Sequence, residues 1–384
     1  MGSLLSMTGQ ETQAAEWSAV PTVTEKGNYN SNLLLAEGSQ KAVWGNWFSP
    51  GMTFTGSTEN LEISGRTAAD FVRYYGGQES SFTNFYFPLS VKYRGERDIW
   101  NVDGGLTRDN TLMTELQKTG VVLAFTQRNL WTASPSWTHN LTERAALIAG
   151  YQFADATYEN GLRLGLVDYQ TNGGNAGISY QIADKSQVRL TGIATLFQAP
   201  QRNLESKIFG ASTSLNHEFS ETFSVKLEAG PRYINNVVQS GPQSLSNHSL
   251  VWVGNATIRK QLERTTVTLD ASRDINPSGF GLLIETNRIG MTLEQQLTEN
   301  LRASVTGQAL VSSSTSTVGS VTPFPKQRYI SVQPKLSWKI NDWWGAEASY
   351  SYGQRDVDSL SVTAMANIVS VAITYTPAKF SVGW

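Results

Sequence analysis

One short phrase recurs along this chain at nearly even intervals. Leu or Phe stands beside a Ser/Thr-Glu turn and is followed by alternating residues, as in THNLTERAALIAGYQF (138–153), NHEFSETFSVKLEAG (216–230) and EQQLTENLRASVTGQAL (294–310). Related polar turns fall at 57–60, 94–98, 140–144, 183–186, 219–222, 262–265, 297–300 and 340–343, and most of their centres are about 35 to 43 residues apart. This interval fits two strands of ~10 residues with one short and one longer connection.

The residues on both sides of each turn alternate with a period of two. Leu301, Ala303 and Val305 are apolar, for example, whereas Arg302 and Ser304 between them are polar. Such alternation predicts strands. The other ends of the strands meet in polar stretches that predict longer loops, at 26–42, 108–119, 198–206, 234–247, 312–327 and 353–361. The eight short turns join sixteen strands. A first strand at about 17–25 and a last strand at about 367–376 bring the number to 18, with 16 as the alternative.

The difference between short and long connections favours one architecture. A propeller or a sandwich would not place all short turns on one side, and the short repeats of a β-helix are absent. A transmembrane antiparallel β-barrel has short periplasmic turns and longer extracellular loops. Aromatic residues near the predicted strand ends are typical of two interfacial girdles; they include Trp100, Trp131, Trp137, Trp252, Trp338, Trp343, Trp344, Tyr93, Tyr151, Tyr180, Tyr233, Tyr350 and Tyr375.

Composition excludes several classes of protein. The net charge of −2 provides no basic surface for nucleic acid. The absence of cysteine excludes thiolate metal sites, and three histidines leave little for any other metal cluster, so no cofactor is predicted. No apolar run is long enough for a membrane-spanning helix. Residues 1–16 are interpreted as a leader and N-terminal tail, and residues 17–384 as one outer-membrane β-barrel domain.

If the apolar positions face lipid, the polar positions between them line the lumen. The predicted pore-lining residues are Arg66, Arg94, Arg128, Arg189, Arg259, Arg302, Lys335, Glu62, Asp70, Asp103, Glu228 and Glu347. Two roles are open for the basic members of this set. They could form a weak, distributed ladder for an acidic polymer, or they could pair with the acidic members to stabilise the wall.

Enzymatic functions have little support in the sequence. His248 lies near Ser246 and Ser249 at the edge of a predicted loop, but a single His there is more often solvated than catalytic. His139 and His217 each lie beside a short turn and are expected at the membrane interface. The glycines of NGGN (172–175) lack the strand–loop–helix context of a phosphate-binding loop.

Several segments resemble the β-barrel porin 2 family of outer-membrane proteins. They are PTVTEKGNYNSNLLL (21–35), WFSPGMTFTGSTENLEISGRTAADFVRYY (47–75), TELQKTG (114–120), PSWTHNLTERAALIAGYQFADATYENG (135–161) and DYQTN (168–172). In that family the first strand typically carries Pro, Tyr and Asn in the frame that Pro21, Tyr29 and Asn32 fit here. The last strand departs from the usual barrel ending, because Pro377 interrupts it before Trp384.

The resemblance implies the outer membrane of a Gram-negative bacterium and a channel without enzymatic activity. Because members of the family commonly occur with exopolysaccharide-export systems, it also implies a conduit for a secreted polysaccharide. The implied partners are that polysaccharide, a periplasmic polysaccharide-export protein, lipopolysaccharide and the barrel-assembly machinery. The alternatives are a general or solute-selective diffusion porin, which a long loop folded into the lumen would favour, and a closed barrel that acts as a binding or assembly scaffold.

Overall fold

The computed structural model describes residues 16–38, 40–77, 79–111, 125–240, 242–315, 325–358 and 363–383. Almost all of these residues belong to strands, which confirms the predicted all-β class. The strands are β1 Glu16–Asn30, β2 Val43–Ser57, β3 Leu61–Tyr75, β4 Ser80–Arg94, β5 Asp98–Asn110, β6 Gln127–Asn140, β7 Ala145–Tyr158, β8 Tyr169–Ala183, β9 Ser186–Ala199, β10 Leu204–Ser220, β11 Phe223–Ser240, β12 Gln243–Gln261, β13 Thr265–Pro277, β14 Leu283–Gln296, β15 Leu301–Ser314, β16 Gln327–Lys339, β17 Trp344–Val357, β18 Ala364–Tyr375 and β19 Phe380–Gly383.

The sheet closes on itself through the first and last strands. Each strand from β1 to β17 pairs antiparallel with the next one along the chain, so that β1 pairs with β2 on one side. On its other side, Val23–Asn30 of β1 pairs with β18 and Glu16–Ala19 pairs with β19. Because β19 continues the path of β18 beyond Pro377, the two segments form one interrupted strand. The predicted barrel of 18 strands is therefore confirmed, and the alternative of 16 is wrong.

The recurring phrase of the sequence forms the eight short turns. Its apolar residue, such as Leu141, Leu262 or Leu297, follows a strand and is exposed. The residue after it often supplies a side-chain oxygen to the turn. Thr142 Oγ1, for example, accepts hydrogen bonds of 3.2 and 3.0 Å from the backbone N–H groups of Arg144 and Ala145. This Ser/Thr turn chemistry explains why a polar residue recurs there.

The opposite ends of the strands differ from the predicted long loops. Residues 26–30, 108–110, 204–206 and 353–357 belong to strands, and the segment 234–247 is mostly the hairpin of β11 and β12. The connection after β9 is only 200–203, and β3 joins β4 through 76–79. The TELQKTG segment and most of 312–327 lie outside the described residues, as does Trp384. The loop end of the barrel therefore mixes short turns with long loops.

The two faces of the wall differ in chemistry. In an antiparallel pair, directly opposite residues point to the same side of the sheet. One face carries exposed apolar side chains in register, such as Phe48 opposite Phe71 and Leu215 opposite Leu227. The other face carries serines, threonines, amides and charged residues. An apolar face around a closed wall is the lipid-facing face of a transmembrane barrel, and the polar face lines its lumen.

Aromatic residues of the lipid-facing face lie towards both ends of the strands. Tyr93, Trp100 and Trp137 are opposite one another near the short turns. Trp131 and Trp252 lie towards the loop ends, where both are exposed. Two aromatic belts of this kind mark the two membrane interfaces. Among the described residues, no helix is long and apolar enough to cross a membrane.

Candidate functional site: the barrel lumen

Strand register places all twelve predicted pore-lining residues on the inner face. Arg66 lies opposite Thr53, Arg189 opposite Ser214, and Arg302 opposite Ser337, all of them on the polar side of the wall. The same parity holds for the other members of the set, namely Arg94, Arg128, Arg259, Lys335, Glu62, Asp70, Asp103, Glu228 and Glu347. Whether these side chains contact a solute remains a prediction.

Some of these residues are paired within the wall. Arg94 contacts Glu62 at 2.5 Å, and Lys335 contacts Glu347 at 3.3 Å, between side chains that are roughly half exposed. Pairs exposed to this degree contribute at most about 1 kcal/mol each. Four basic members, Arg66, Arg189, Arg259 and Arg302, have no acidic group within 4.0 Å in the described part of the chain. The lumen therefore contains both paired and unpaired basic residues, and the role of the unpaired ones stays a prediction.

Arg128 has a structural environment unlike that of the other basic residues. Its Nε and a terminal nitrogen donate to the two carboxylate oxygens of Asp109 at 3.1 and 2.8 Å. Both side chains are more than nine-tenths buried. A two-pronged contact of this kind is the strong form of an Arg–carboxylate pair. Arg128 therefore stabilises the loop end of the wall, and its partner Asp109 was missed because it lies in a predicted loop.

The inner wall contains three recesses that bring basic and acidic residues together. One recess, with a volume of about 480 Å³, lies on β2–β6 and includes Arg66 and Asp103. A second, of about 240 Å³, lies on β7–β11 and includes Arg189 and Glu228. The third and widest recess lies on β14–β18. Each recess presents both signs of charge to the lumen.

The β14–β18 recess has a volume of about 680 Å³ and lies at the short-turn mouth. Arg302, Lys335 and Glu347 line it together with serines, threonines and amides. At its rim, Lys339 Nζ donates to Asp342 Oδ1 at 2.6 Å. This hydrogen bond and the charge of Lys339 lower the pKa of the Asp342 carboxyl, which lies in the turn outside the strands.

Three connections fold inward at the loop end and pack against one side of the lumen. The Val167 N–H donates to the Gly279 carbonyl at 2.7 Å, and Gln201 exchanges two hydrogen bonds with Asp168. These contacts join the connections 159–168, 200–203 and 278–282, which we call the three-loop plug. Its buried apolar residues contact inner-face residues of the strands; the cluster includes Leu166, Val167, Phe280, Phe197, Ile234 and Ile284.

The described part of the β1–β2 connection, within residues 31–42, folds against another part of the inner wall, on β15, β16 and β18. Leu35 is buried against Leu310 and Tyr329 of the inner wall and against two alanines of β18. Asn32 holds this loop in place, because its Nδ2 donates to the Ala36 carbonyl at 2.8 Å and to the Met365 carbonyl at 3.1 Å. The Asn of the sequence frame thus ties the loop to the wall, together with Ser31, whose N–H donates to the Asn367 carbonyl at 3.0 Å.

The histidines have structural contacts. His139 Nδ1 lies 2.8 Å from Asp98 Oδ1, and His217 Nδ1 lies 2.7 Å from Ser186 Oγ. His248 does not lie at the edge of a loop as predicted. It lies in β12, where its ring stacks on Tyr233 with centroids 5.8 Å apart. The prediction of a loop was wrong because β12 continues beyond the membrane interface, where the residues of its outer face become polar.

Together, the closed wall of even strand number, its apolar belt and its polar lumen define a transmembrane β-barrel of the bacterial outer membrane. The predicted location in a Gram-negative outer membrane is thereby confirmed. No protein-family model matches the chain. No curated protein matches it in sequence either.

The fold is similar to those of several solved outer-membrane proteins. They include Acinetobacter baumannii OccAB4, at 10% identity over 97% of this chain and 99% of that chain, with a TM-score of 0.46. Pseudomonas aeruginosa OccK2 (OpdF) is 9% identical over 94% of this chain and 97% of that chain, with a TM-score of 0.48. The outer membrane protein OprD from Pseudomonas aeruginosa is 9% identical over 95% and 94%, with a TM-score of 0.43.

Proposed function

We propose that this protein is a diffusion channel for small polar solutes that are neutral or carry both signs of charge. The observation that carries this proposal is the composition of the three recesses, each of which places basic and acidic side chains among hydroxyl groups. Strong selectivity for one ion sign requires rings of like charge. Recesses of mixed charge offer weak, alternating contacts that a small polar molecule can exchange as it passes.

The inward loops support a narrow passage. The three-loop plug and the β1–β2 connection pack against different parts of the inner wall at the loop end. An inward constricting loop is the feature that favours a porin over a wide polymer conduit. The exopolysaccharide conduit implied by the sequence has no support in the wall or in the comparisons. Its polysaccharide, export-protein, lipopolysaccharide and assembly-machinery partners remain predictions.

The proposal is tested by conductance and ion selectivity in planar bilayers. The wild-type protein is expected to give small, discrete openings, with permeabilities for K⁺ and Cl⁻ within about threefold of each other, because the recesses carry both signs. In liposomes, monosaccharides and zwitterionic amino acids are expected to enter faster than a doubly charged ion of either sign. A strong preference for one ion sign would refute this assignment of the lumen.

Release of the β1–β2 connection provides the second arm of the test. Burial of a Leu side chain stabilises its packed state by about 1.5–3 kcal/mol, and Asn32 adds the hydrogen bonds to Ala36 and Met365. Asn32→Ala with Leu35→Ala is therefore expected to increase conductance. Leu162→Ala is the matched control, because Leu162 is an exposed leucine in another inward loop. Silence of both the wild type and the double variant would identify a closed scaffold instead.

A further inference from the structure

Three polar side chains stand on the lipid-facing side of adjacent strands. Glu25 of β1 lies opposite Phe48, and Asn46 of β2 lies opposite Arg73 of β3, all on the outer face. Asn46 Nδ2 donates to Glu25 Oε1 at 2.6 Å. Glu25, Asn46 and Arg73 are exposed, and we call them the β1–β3 patch.

Arg73 differs from the other basic residues of the lipid-facing side at the loop end. Arg108, Lys207, Arg273 and Arg328 each contact an acidic group of the same barrel, in a strand or in the connection next to one, at 2.5, 3.2, 2.9 and 3.2 Å respectively. Arg73 lies over the Tyr75 ring at 5.0 Å, and among the described residues no acidic group is within 4.0 Å of it. Among the described residues, Arg73 is therefore a cation without an acidic partner, whereas these four basic residues of the same face each have one.

The position of the patch argues against water or a lipid phosphate as its partner. Trp44 and Tyr75 form an opposite pair at the loop-end aromatic belt. Asn46 and Arg73 lie two residues closer to the short turns, on the hydrocarbon side of that belt. Exposed charge in this region is unfavourable. Lipid phosphates lie at or beyond the aromatic belt, and a phosphate would also be repelled by Glu25.

The patch is complementary to itself. Glu25 and Arg73 have opposite charges and are two strands apart, roughly 10 Å. Between them, the rings of Phe48 and Phe71 stack with centroids 6.3 Å apart and an interplanar angle of 26°. A two-fold contact between identical surfaces pairs each residue with its counterpart in the opposite sense.

We propose that the β1–β3 patch is a two-fold interface between two copies of this chain in the membrane. Glu25 of each copy pairs with Arg73 of the other, and Phe48 and Phe71 pack near the two-fold axis. The paired charges are then removed from lipid, which the single barrel does not achieve. The small outer-face residue Gly27 beside Glu25 allows close approach of the second wall.

Charge reversal tests this interface with the full-length protein in nanodiscs. The wild type is expected to be a dimer by mass. Glu25→Arg and Arg73→Glu are each expected to weaken dimerisation at least tenfold, because each variant brings like charges together. When the two variants are co-expressed with different affinity tags, they are expected to co-purify as a mixed dimer, in which both contacts again join opposite charges. Lys207→Glu is the control for charge reversal on another part of the wall.

A crosslink tests the same geometry without changing any charge. The chain has no cysteine, so Phe48→Cys introduces a single thiol near the axis and is expected to give a disulfide-linked dimer under mild oxidation. Ile289→Cys, an exposed lipid-facing position on β14, is expected to give none. A wild type that stays monomeric at every concentration, or equal crosslinking at both positions, would overturn the proposal. Loss of bound lipid phosphate from Arg73→Glu without a change in mass would assign the patch to lipid.

Discussion

Adjacent residues of β15 provide a direct test of the lipid-facing and lumen-facing sides. Val305 is exposed on the outer face opposite Leu293 and Pro334, near the middle of the membrane span. Thr306 points to the lumen and lines the β14–β18 recess. Arg facing lipid at the bilayer midplane costs about 2–4 kcal/mol, whereas Arg in a water-filled lumen remains hydrated. Val305→Arg is therefore expected to lower the free energy of unfolding by about 2–4 kcal/mol.

Because 1.4 kcal/mol corresponds to a factor of ten, this loss lowers the folding equilibrium constant by about 30- to 700-fold. Thr306→Arg is expected to change the free energy of unfolding by less than about 1 kcal/mol. Urea-dependent folding into lipid vesicles, followed by the heat-dependent shift in gel migration, measures both values. Equal losses for the two variants, or a larger loss for Thr306→Arg, would refute the assignment of the faces. Leu227→Arg and Ser224→Arg repeat the comparison on β11.

Three further substitutions test individual contacts. Arg128→Met is expected to destabilise the barrel by about 3–5 kcal/mol because it removes the cation that pairs with the buried Asp109 carboxylate; adding Asp109→Leu should recover most of this loss in urea unfolding. Asn341→Ala removes the acceptor for two backbone N–H groups of the last short turn and is expected to cost about 1–2 kcal/mol, measured in the same assay. Lys339→Met is expected to raise the pKa of Asp342, which NMR titration measures. In the wild type, the stabilisation from this pair is present above the ordinary pKa of Asp and is lost as pH falls through the lowered pKa of Asp342.

The short turns and the faces of the strands could be predicted because both have simple physical causes. A strand with lipid on one side and water on the other must alternate apolar and polar residues. The residue types of Val305 and Thr306 therefore indicate which side of the wall each one faces. The turns carry recognisable residues, because Thr142 satisfies backbone N–H groups that no strand partner reaches. Strand number follows from these two signals, and the residues of the lumen follow from the alternation.

The loop end could not be predicted because, beyond the membrane, the apolar residues of an alternating strand no longer lie on its outer face. On β11 the inner-face residues Ile234 and Val238 are buried, whereas Asn235 of the outer face is polar. Water replaces lipid outside the wall there, and inward loops cover the inside, so the apolar side of the strand reverses. Leu35 and Phe280 give a weak signal of this packing, as apolar residues in polar connections. Their partners on distant strands cannot be read from a single sequence.

The pairing of β1 with the interrupted last strand has a consequence for the order of assembly. Every other ladder joins neighbours along the chain, whereas Thr24 and Thr374, whose hydroxyl groups are 2.9 Å apart, are separated by 350 positions. Closing so large a loop costs about 2 kcal/mol more in chain entropy than closing a hairpin of about 30 residues. Hairpins can therefore form early, and the junction of β1 with β18 and β19 completes the cylinder last. The break at Pro377 divides that junction into two short strand pairings, one with β18 and one with β19. Amide hydrogens along β1 should therefore exchange with solvent before those of any central hairpin.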